Sequence, residues 1–452
     1  MTHMSHPYIL VVGLGKSGIA MARFLKKRGN SVVITDSDPN MKKKAKALEK
    51  MGITTEIGPH NATTFDRARM IIASPGIPLD MPHLKRAAQR KIPIRGELDV
   101  AAEQIKVPVV AVTGTNGKTT VTTLIDLLLK SSHTAVFTGG NIGVPLTRYF
   151  DEDVPATVVV AEVSSFQLDT AMAFKPHVAV LLNITPDHMD RYSSFAAYAG
   201  SKWSIFAHQD KNDVAILGSS LSTYKKEIQA LKATPFFIRP AHETPPENGA
   251  HIQEKSIRFY TRGKQMAGKL LISKIRIKGK HNLENIAASA LAALCMGTPM
   301  ADIEQIVYHF PGLEHRMEFS GYVNGIPYYN DSKATNPDAV IKAVSCFKNL
   351  ILIMGGKEKN TDFSSLKSSV TSRVKHLILM GEAANNIQKA LRGSCDITQV
   401  GTMASAVALA RTLARKNDTV MLSPACASFD MYSSYGHRGD DFKHQIKQLT
   451  MP

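Results

Sequence analysis

Thr113-Gly114-Thr115-Asn116-Gly117-Lys118-Thr119-Thr120 is the stretch on which the reading of this 452-residue chain turns. It follows the apolar, β-branched run 107–112 and leads into residues 121–130, whose spacing predicts a helix. A strand, a Gly-rich turn and a helix N-terminus aim backbone N–H groups and a helix dipole at phosphate oxygens. In such a loop Lys118 neutralises the β- and γ-phosphates and Thr119 offers its hydroxyl to Mg²⁺. The spacing departs from G-x-x-x-x-G-K-[ST], because Val112 stands where the first glycine would be. Gly114 takes that place in a shorter loop. The stretch predicts an ATP site.

Upstream, residues 8–12 read as a strand followed by Gly13-Leu14-Gly15-Lys16-Ser17-Gly18 and a helical run to Arg28-Gly29. A second strand, 31–35, ends at Asp36, about 20 positions past the glycines. This is a dinucleotide fingerprint, which reports a nucleotide diphosphate and not the attached base. An NAD(P)-dependent oxidoreductase is therefore an alternative reading. A strand at 69–73 runs into the turn Ser74-Pro75-Gly76-Ile77-Pro78, where open α/β sheets bind ligands. Residues 95–106 read as a short polar joining segment.

After the ATP loop, a strand at 157–160 reaches Glu162, a carboxylate placed to hold Mg²⁺ or to face solvent. Another, 178–183, ends in Asp187-His188-Met189-Asp190-Arg191, where His188 could ligate metal or be structural. Tyr198, Lys202 and Ile205 share one helical stripe within 195–207, most simply a packed helix with Lys202 reaching solvent. Residues 240–249 read as a surface loop, and 255–260 with 270–277 as strands of a small antiparallel addition. His281 to Asn285 opens a small-residue helix, 286–294, at a capping position. Beyond Phe310-Pro311-Gly312-Leu313, strands expected at 328–330, 350–354, 376–380 and 419–422 alternate with helices at 337–346, 383–392 and 404–416. That pattern predicts a third, mostly parallel α/β unit.

Composition bounds the function. No apolar run reaches the ~18 residues of a membrane span, and no signal peptide is evident at the N-terminus. Cys295, Cys346, Cys395 and Cys426 form no C-x-x-C pair and suit free thiols in a reducing cytoplasm. Lys and Arg number 55 against 38 Asp and Glu, a net +17. The cations are dispersed, without an arginine-rich tail or an aromatic–basic ladder, so a nucleic-acid-binding ATPase is disfavoured. Attraction of a polyanionic small substrate explains the sign.

Taken together, the ATP loop, Glu162-Val163-Ser164-Ser165-Phe166-Gln167-Leu168, Asn183 with Asp187-His188-Met189-Asp190, Lys202, His281-Asn282, Glu314-His315-Arg316 and Asn330-Asp331-Ser332-Lys333-Ala334-Thr335-Asn336 resemble the Mur ligase family. The order matches from Tyr8 nearly to the C-terminus. Three features resemble the branch that adds D-glutamate to a UDP-muramyl-L-alanine: Gly-Leu-Gly-Lys-Ser-Gly, Ser-Pro-Gly-Ile-Pro, and 422–430 with Arg438-Gly439. The charged loop Gly355-Gly356-Lys357-Glu358-Lys359 departs from the family's pattern. A ligase of the same family adding another amino acid is the nearest alternative.

The resemblance implies three α/β domains: a Rossmann-like UDP-binding domain (1–97), a central P-loop ATPase-type domain (98–312) and a Rossmann-like C-terminal domain (313–452). It implies Lys118, His188, Lys202 and Lys333 as catalytic. ATP contacts would be Gly114, Thr115, Asn116, Gly117, Lys118, Thr119, Thr120, Asn282, Arg316 and Asp331. The UDP-substrate would meet Gly15, Lys16, Ser17, Asp36, Ser37, Ser74, Gly76, Asn141 and His188. D-glutamate would meet Thr335, Lys359, Ser428 and Tyr435. Two Mg²⁺ ions would be held by Thr119, Glu162, His188 and Lys202. An ammonium cannot ligate a cation, and the family's answer is a CO₂-derived carbamate on Lys202, which needs a depressed amine pKa. Domain closure around ATP, a monomer and a cytoplasmic location complete the expectation.

Overall fold

The structure, a computed structural model, describes residues 7–132, 135–150, 156–189, 191–358 and 361–450. Three sheets organise it. The first contains β1 (Tyr8–Val12), β2 (Val32–Asp36), β3 (Thr54–Ile57), β4 (Ala68–Ala73) and β5 (Ile94–Gly96), in the order β3-β2-β1-β4-β5. All its pairings are parallel. Ile9 to Val12 are buried on both faces, as an apolar run without polar alternation requires.

The second sheet contains β6 (Val109–Thr113), β7 (Val136–Gly140), β8 (Val158–Glu162), β9 (Val178–Leu181), β10 (Val214–Leu217), β11 (Thr234–Pro240), β12 (Gly249–Ile252), β13 (Ser256–Thr261) and β14 (Lys264–Leu271). Their order is β14-β13-β12-β11-β10-β9-β6-β8-β7. The sheet is parallel from β7 to β12 and turns antiparallel between β12 and β13. The helix Lys118–Ser132 packs against it through Val121, Leu124, Ile125, Leu128 and Leu129, all fully buried at three- and four-residue spacing. Each such burial contributes roughly 1.5–3 kcal/mol, so the helix that carries the phosphate loop is firmly seated.

The third sheet contains β15 (Glu318–Val323), β16 (Ile326–Asn330), β17 (Leu350–Gly355), β18 (Val374–Met380), β19 (Asp396–Gln399) and β20 (Thr419–Leu422), ordered β15-β16-β20-β17-β18-β19. Only the β15–β16 hairpin is antiparallel; the rest is parallel as expected. The chain divides into two compact units: Met1–Leu270 with Asn285–Ile306, and Leu271–Glu284 with Val307–Pro452.

Four local expectations are corrected. Residues 95–106 are not a polar linker: β5 leads into the helix Glu97–Ala102, in which Glu97, Leu98, Asp99, Val100 and Ala101 are all buried. The Asp99 carboxylate accepts from Arg95 Nε (2.6 Å), four residues before it, and from the distant Ala173 backbone N–H (2.6 Å), which together compensate its burial. The strand expected at 270–277 lies earlier, as β14, and is followed by a turn at Ile272–Lys274. His281 and Asn282 do not cap a helix beginning at 286, because the helix is Lys280–Cys295 and both lie in its first turn. Lys202, in the helix Phe195–Trp203, does not reach solvent but is 2% exposed.

Candidate active site

The phosphate loop occupies the carboxyl end of β6. Gly117 has φ +90°, and a Cβ there would lie 2.5 Å from Asn285 Oδ1, so only glycine fits. Strand register supplies the neighbours. Thr113 pairs with Leu181, which brings Asn183 alongside the loop. Asn183 Oδ1 accepts from Asn116 N (2.9 Å), its Nδ2 donates to Asn116 O (3.0 Å), and its backbone carbonyl accepts from Thr115 N (2.9 Å). Thr115 Oγ1 donates to Thr185 O (3.1 Å) and lies 2.9 Å from the Tyr198 hydroxyl. The loop is thus fixed by protein contacts alone.

Two lysine side-chain nitrogens meet on one carbonyl oxygen. Lys118 Nζ donates to Gly114 O (2.8 Å) and Thr115 O (2.9 Å), and Lys202 Nζ donates to Gly114 O (3.0 Å). Lys202 also lies 4.7 Å from the Tyr198 ring centre. Burial, and then the nearby Lys118 charge, hold the Lys202 amine well below its ordinary pKa. The neutral amine is therefore accessible there. The stripe Tyr198, Lys202, Ile205 is buried as a whole, because the lysine is turned to the loop and not to water.

Glu162 follows from the same geometry. Val112 pairs with Glu162, so the carboxylate stands beside the loop at the end of β8. It is 3% exposed, which excludes the solvent-facing alternative. Oε1 accepts from Asn141 Nδ2 (2.9 Å), while Oε2 is buried with no hydrogen-bond partner among the described residues. An orphaned carboxylate oxygen beside a phosphate loop suits a hard cation such as Mg²⁺. Thr119 is the second residue of the loop helix. His188 adopts φ +56°, lies 3.8 Å from Asp187 Oδ2 by Nε2, and packs edge-on against Phe166 at 4.9 Å. Among the described residues no three His, Cys, Asp or Glu side chains converge on one point.

In the first sheet, both carboxylate oxygens of Asp36 accept backbone N–H groups, from Leu14 (2.6 Å) and Asp38 (2.9 Å). Asp36 thereby fastens the Gly-rich turn. A Cβ at Gly18 would fall 1.9 Å from Gly13 O, which explains the last glycine of the fingerprint. Gly15, Lys16 and Ser37 are exposed and Ser17 is half-buried. Ser74 donates its backbone N–H to Val12 O (3.0 Å), and Gly76 is exposed. Arg191, which sequence reasoning quoted without a role, donates to Gly76 O (3.0 Å) and Ile77 O (3.4 Å) and stacks on Phe166 (4.7 Å). The Ser-Pro-Gly-Ile-Pro turn is thus tied to the segment bearing His188.

In the second unit, Asp331 is buried, accepts from Ser423 Oγ (2.9 Å) and Met317 N (3.2 Å), and is pushed up to about 7 by burial. Arg316 lies close enough to favour its ionised form. Lys333 Nζ sits 3.7 Å from the Tyr435 ring centre, Ser428 is buried, and Thr335 is half-buried. Asn282 Nδ2 is engaged by Lys278 O (2.7 Å). Lys359 lies outside the described residues. Beneath these loops is Arg438, 2% exposed and missed by sequence reasoning as a functional residue. Its guanidinium donates to Ser332 Oγ (3.0 Å), Ser332 O (2.9 Å), Cys426 O (3.1 Å), Gly355 O (3.3 Å) and Ala427 O (3.3 Å). One side chain ties together the loops after β16, β17 and β20.

Three family descriptions match in sequence: a Mur ligase MurD-like N-terminal domain over 7–96, a Mur ligase middle domain over 112–293, and a Mur ligase glutamate ligase domain over 315–426. The UDP-N-acetylmuramoylalanine–D-glutamate ligase of Desulfosudis oleivorans is 44% identical, the alignment covering 98% of this chain and 96% of that one. The enzyme of the same name from Desulfatibacillum aliphaticivorans is 42% identical, with 98% of each covered.

The chain belongs to the Mur ligase family.

Solved structures with the same fold include a pseudomurein peptide ligase type C from Methanothermus fervidus (TM-score 0.61, 20% identity, 98% of this chain and 100% of that one). A UDP-N-acetylmuramate–alanine ligase from Thermotoga maritima matches with TM-score 0.59 and 17% identity over 98% and 100%. This Mur ligase is accordingly an ATP-dependent enzyme that forms amide bonds and uses Mg²⁺. Among the described residues no helix is long and apolar enough to cross a membrane.

Proposed function

We propose that this ligase joins D-glutamate to UDP-N-acetylmuramoyl-L-alanine, a step of cytoplasmic peptidoglycan precursor synthesis, and acts as a monomer. The observation that carries the chemistry is Lys118, held on the Gly114 and Thr115 carbonyls at the N-terminus of the loop helix. An ammonium at a helix N-terminus is matched by a polyphosphate. The identity of the added amino acid is supported by the names of relatives that align over nearly the whole chain.

In this reading the alanyl carboxylate attacks the γ-phosphorus of ATP and ADP departs, leaving an acyl phosphate. The D-glutamate amine then attacks the acyl carbon, phosphate leaves, and the ammonium proton is lost. Mg²⁺ would supply charge neutralisation between the two anions. Thr119 and Glu162 would hold one ion, and His188 with Lys202 a second. Lys118 neutralises the transferred phosphoryl group, and Arg316, Asp331, Asn282 and Lys333 serve ATP. Gly15 to Ser17, Asp36, Ser37, Ser74, Gly76 and Asn141 meet the muramyl nucleotide, while Thr335, Lys359, Ser428 and Tyr435 meet D-glutamate. The domain boundaries 1–97, 98–312 and 313–452 belong to the same reading.

Lys202 enters as a carbamate. A neutral amine adds to CO₂ and releases one proton, and the buried site with depressed amine pKa favours that starting form. A carbamate carbon resonance from ¹³C-bicarbonate, lost in Lys202→Gln, tests this step; its absence from active enzyme refutes it.

Phosphate release with ATP, Mg²⁺, UDP-N-acetylmuramoyl-L-alanine and a panel of single amino acids tests the function. Release is expected with D-glutamate and not with L-glutamate. Release with another amino acid overturns the specificity, and no release with any overturns the reading.

A further inference from the structure

Glu97 is a buried carboxyl that the chemistry above does not use. It is 2% exposed, and burial raises its pKa against the polar contacts around it. Oε1 accepts from Thr147 Oγ1 (3.1 Å) and, at 3.4 Å, from Thr147 N, while the Ser17 side chain also favours the ionised form. Oε2 is buried with no hydrogen-bond partner among the described residues. Burying a carboxylate is costly, and the Thr147 contacts on Oε1 offset part of that cost.

Its contacts come from two segments. Ser17 is the second residue of the helix Lys16–Lys27, into which the Gly-rich turn leads. Thr147 lies in the turn Leu146–Phe150, six residues past Asn141, which donates to Glu162. Farther along the helix Lys16–Lys27, Phe24 packs on Phe150 at 5.0 Å, and Arg28 stacks over both rings at 4.6 and 5.3 Å. Apolar and cation–π contacts hold the far ends of helix and turn together. At the near end Glu97 meets Thr147, and the Ser17 side chain lies close enough to favour the ionised carboxylate.

We propose that Glu97 is a positioning residue for the nucleoside-diphosphate sugar. Its buried carboxylate fixes the Gly15–Ser17 turn against the Leu146–Thr147 turn, so that the two loops form one cradle before substrate arrives. This rests on the proposed function. It adds a residue that touches no substrate but presets where the nucleotide half binds relative to Asn141 and Glu162. Preorganisation of this kind is expressed in affinity for the group that spans the two loops.

Calorimetric binding of UDP-N-acetylmuramoyl-L-alanine to the full chain, with KM values for the nucleotide and ATP, tests the proposal. Glu97→Gln keeps the shape and removes the charge; Thr147→Val removes the opposing hydroxyl and serves should the first variant fold poorly. Each is expected to weaken nucleotide binding about tenfold, the size of a charge-assisted hydrogen bond. KM for ATP is expected to stay unchanged, and Glu97→Asp to recover part of the loss. Unchanged nucleotide affinity in both variants, or an equal rise in both KM values, overturns the proposal. An unsubstituted chain that binds no muramyl nucleotide removes the functional reading itself, and this inference with it.

Discussion

Replacing Arg438 by Met keeps the side chain's volume and deletes its five hydrogen bonds. Ala427 O keeps the Lys357 N–H (2.8 Å), and Ser332 Oγ keeps its donation to Tyr435 O (2.8 Å). The carbonyls of Ser332, Gly355 and Cys426 lose the guanidinium. A buried acceptor deprived of its donor costs about 1–3 kcal/mol, so three cost about 6 at mid-range. Against this stands the relief of an unpaired buried cation, whose pKa burial lowers to about 10. That shift is worth about 3 kcal/mol. The net expectation is a loss of about 3 kcal/mol, or roughly a hundredfold in local opening. With two compact units a single melting temperature is ambiguous, and amide exchange by mass spectrometry localises the effect. Protection is expected to fall where amides join these loops: Gly355 N to Pro424 O, Lys357 N to Ala427 O and Ala425 N to Ala334 O. Undiminished protection across 331–336, 355–358 and 423–428 in Arg438→Met would refute the claim that this guanidinium organises the three loops.

Gly117→Ala forces a left-handed φ on alanine and drives its Cβ against Asn285 Oδ1, costing about 1–2 kcal/mol before any repacking. ATP affinity is expected to fall at least tenfold with unchanged binding of the muramyl nucleotide; equal ATP affinity would refute the tight-approach argument. In the second unit two groups oppose one another in pH. Burial lowers His281 to about 4, so between pH 4 and 6.5 the unfolded chain binds more protons and stability rises with pH, by about 3 kcal/mol. Asp331, raised to about 7, binds its proton more tightly when folded, and its contribution is lost as pH rises from 4 to 7, by about 4 kcal/mol. Amide exchange at second-unit amides from pH 4 to 7 compares the unsubstituted chain with two variants. His281→Gln unmasks the fall with pH and Asp331→Asn unmasks the rise; parallel profiles in all three proteins would sink the assignment.

The strands that position the site were legible because they are buried on both faces. Val109 to Val112 and Leu350 to Met354 read as continuous apolar runs, and their strand bounds came out within a residue or two. β3, with half-buried Thr54-Thr55-Glu56-Ile57, and β7, with Gly139 and Gly140, gave no such signal. The helix Glu97–Ala102 reads as a polar linker because two of the groups that meet its acids, Thr147 and Ala173, lie far away in sequence. Lys202 shows the same limit from the other side. Its stripe predicted a packed helix, but that the lysine faces Gly114, 88 positions away, is a tertiary fact. Arg438 lies in the helix Tyr435–Thr450, on one stripe with buried Phe442 and Ile446, and charge at a core position conceals such a stripe.

The helix Lys280–Cys295 starts in one compact unit and ends in the other, and the chain passes between units three times. On the ribosome, residues 271–284 therefore emerge before any of the 307–452 segment that completes their unit. The first unit likewise cannot close until residue 306 has been made. Synthesis must carry an unfinished strip of the second unit through completion of the first. No single proteolytic cut yields both units whole, so a C-terminal fragment beginning at 313 would lack a piece of its own fold.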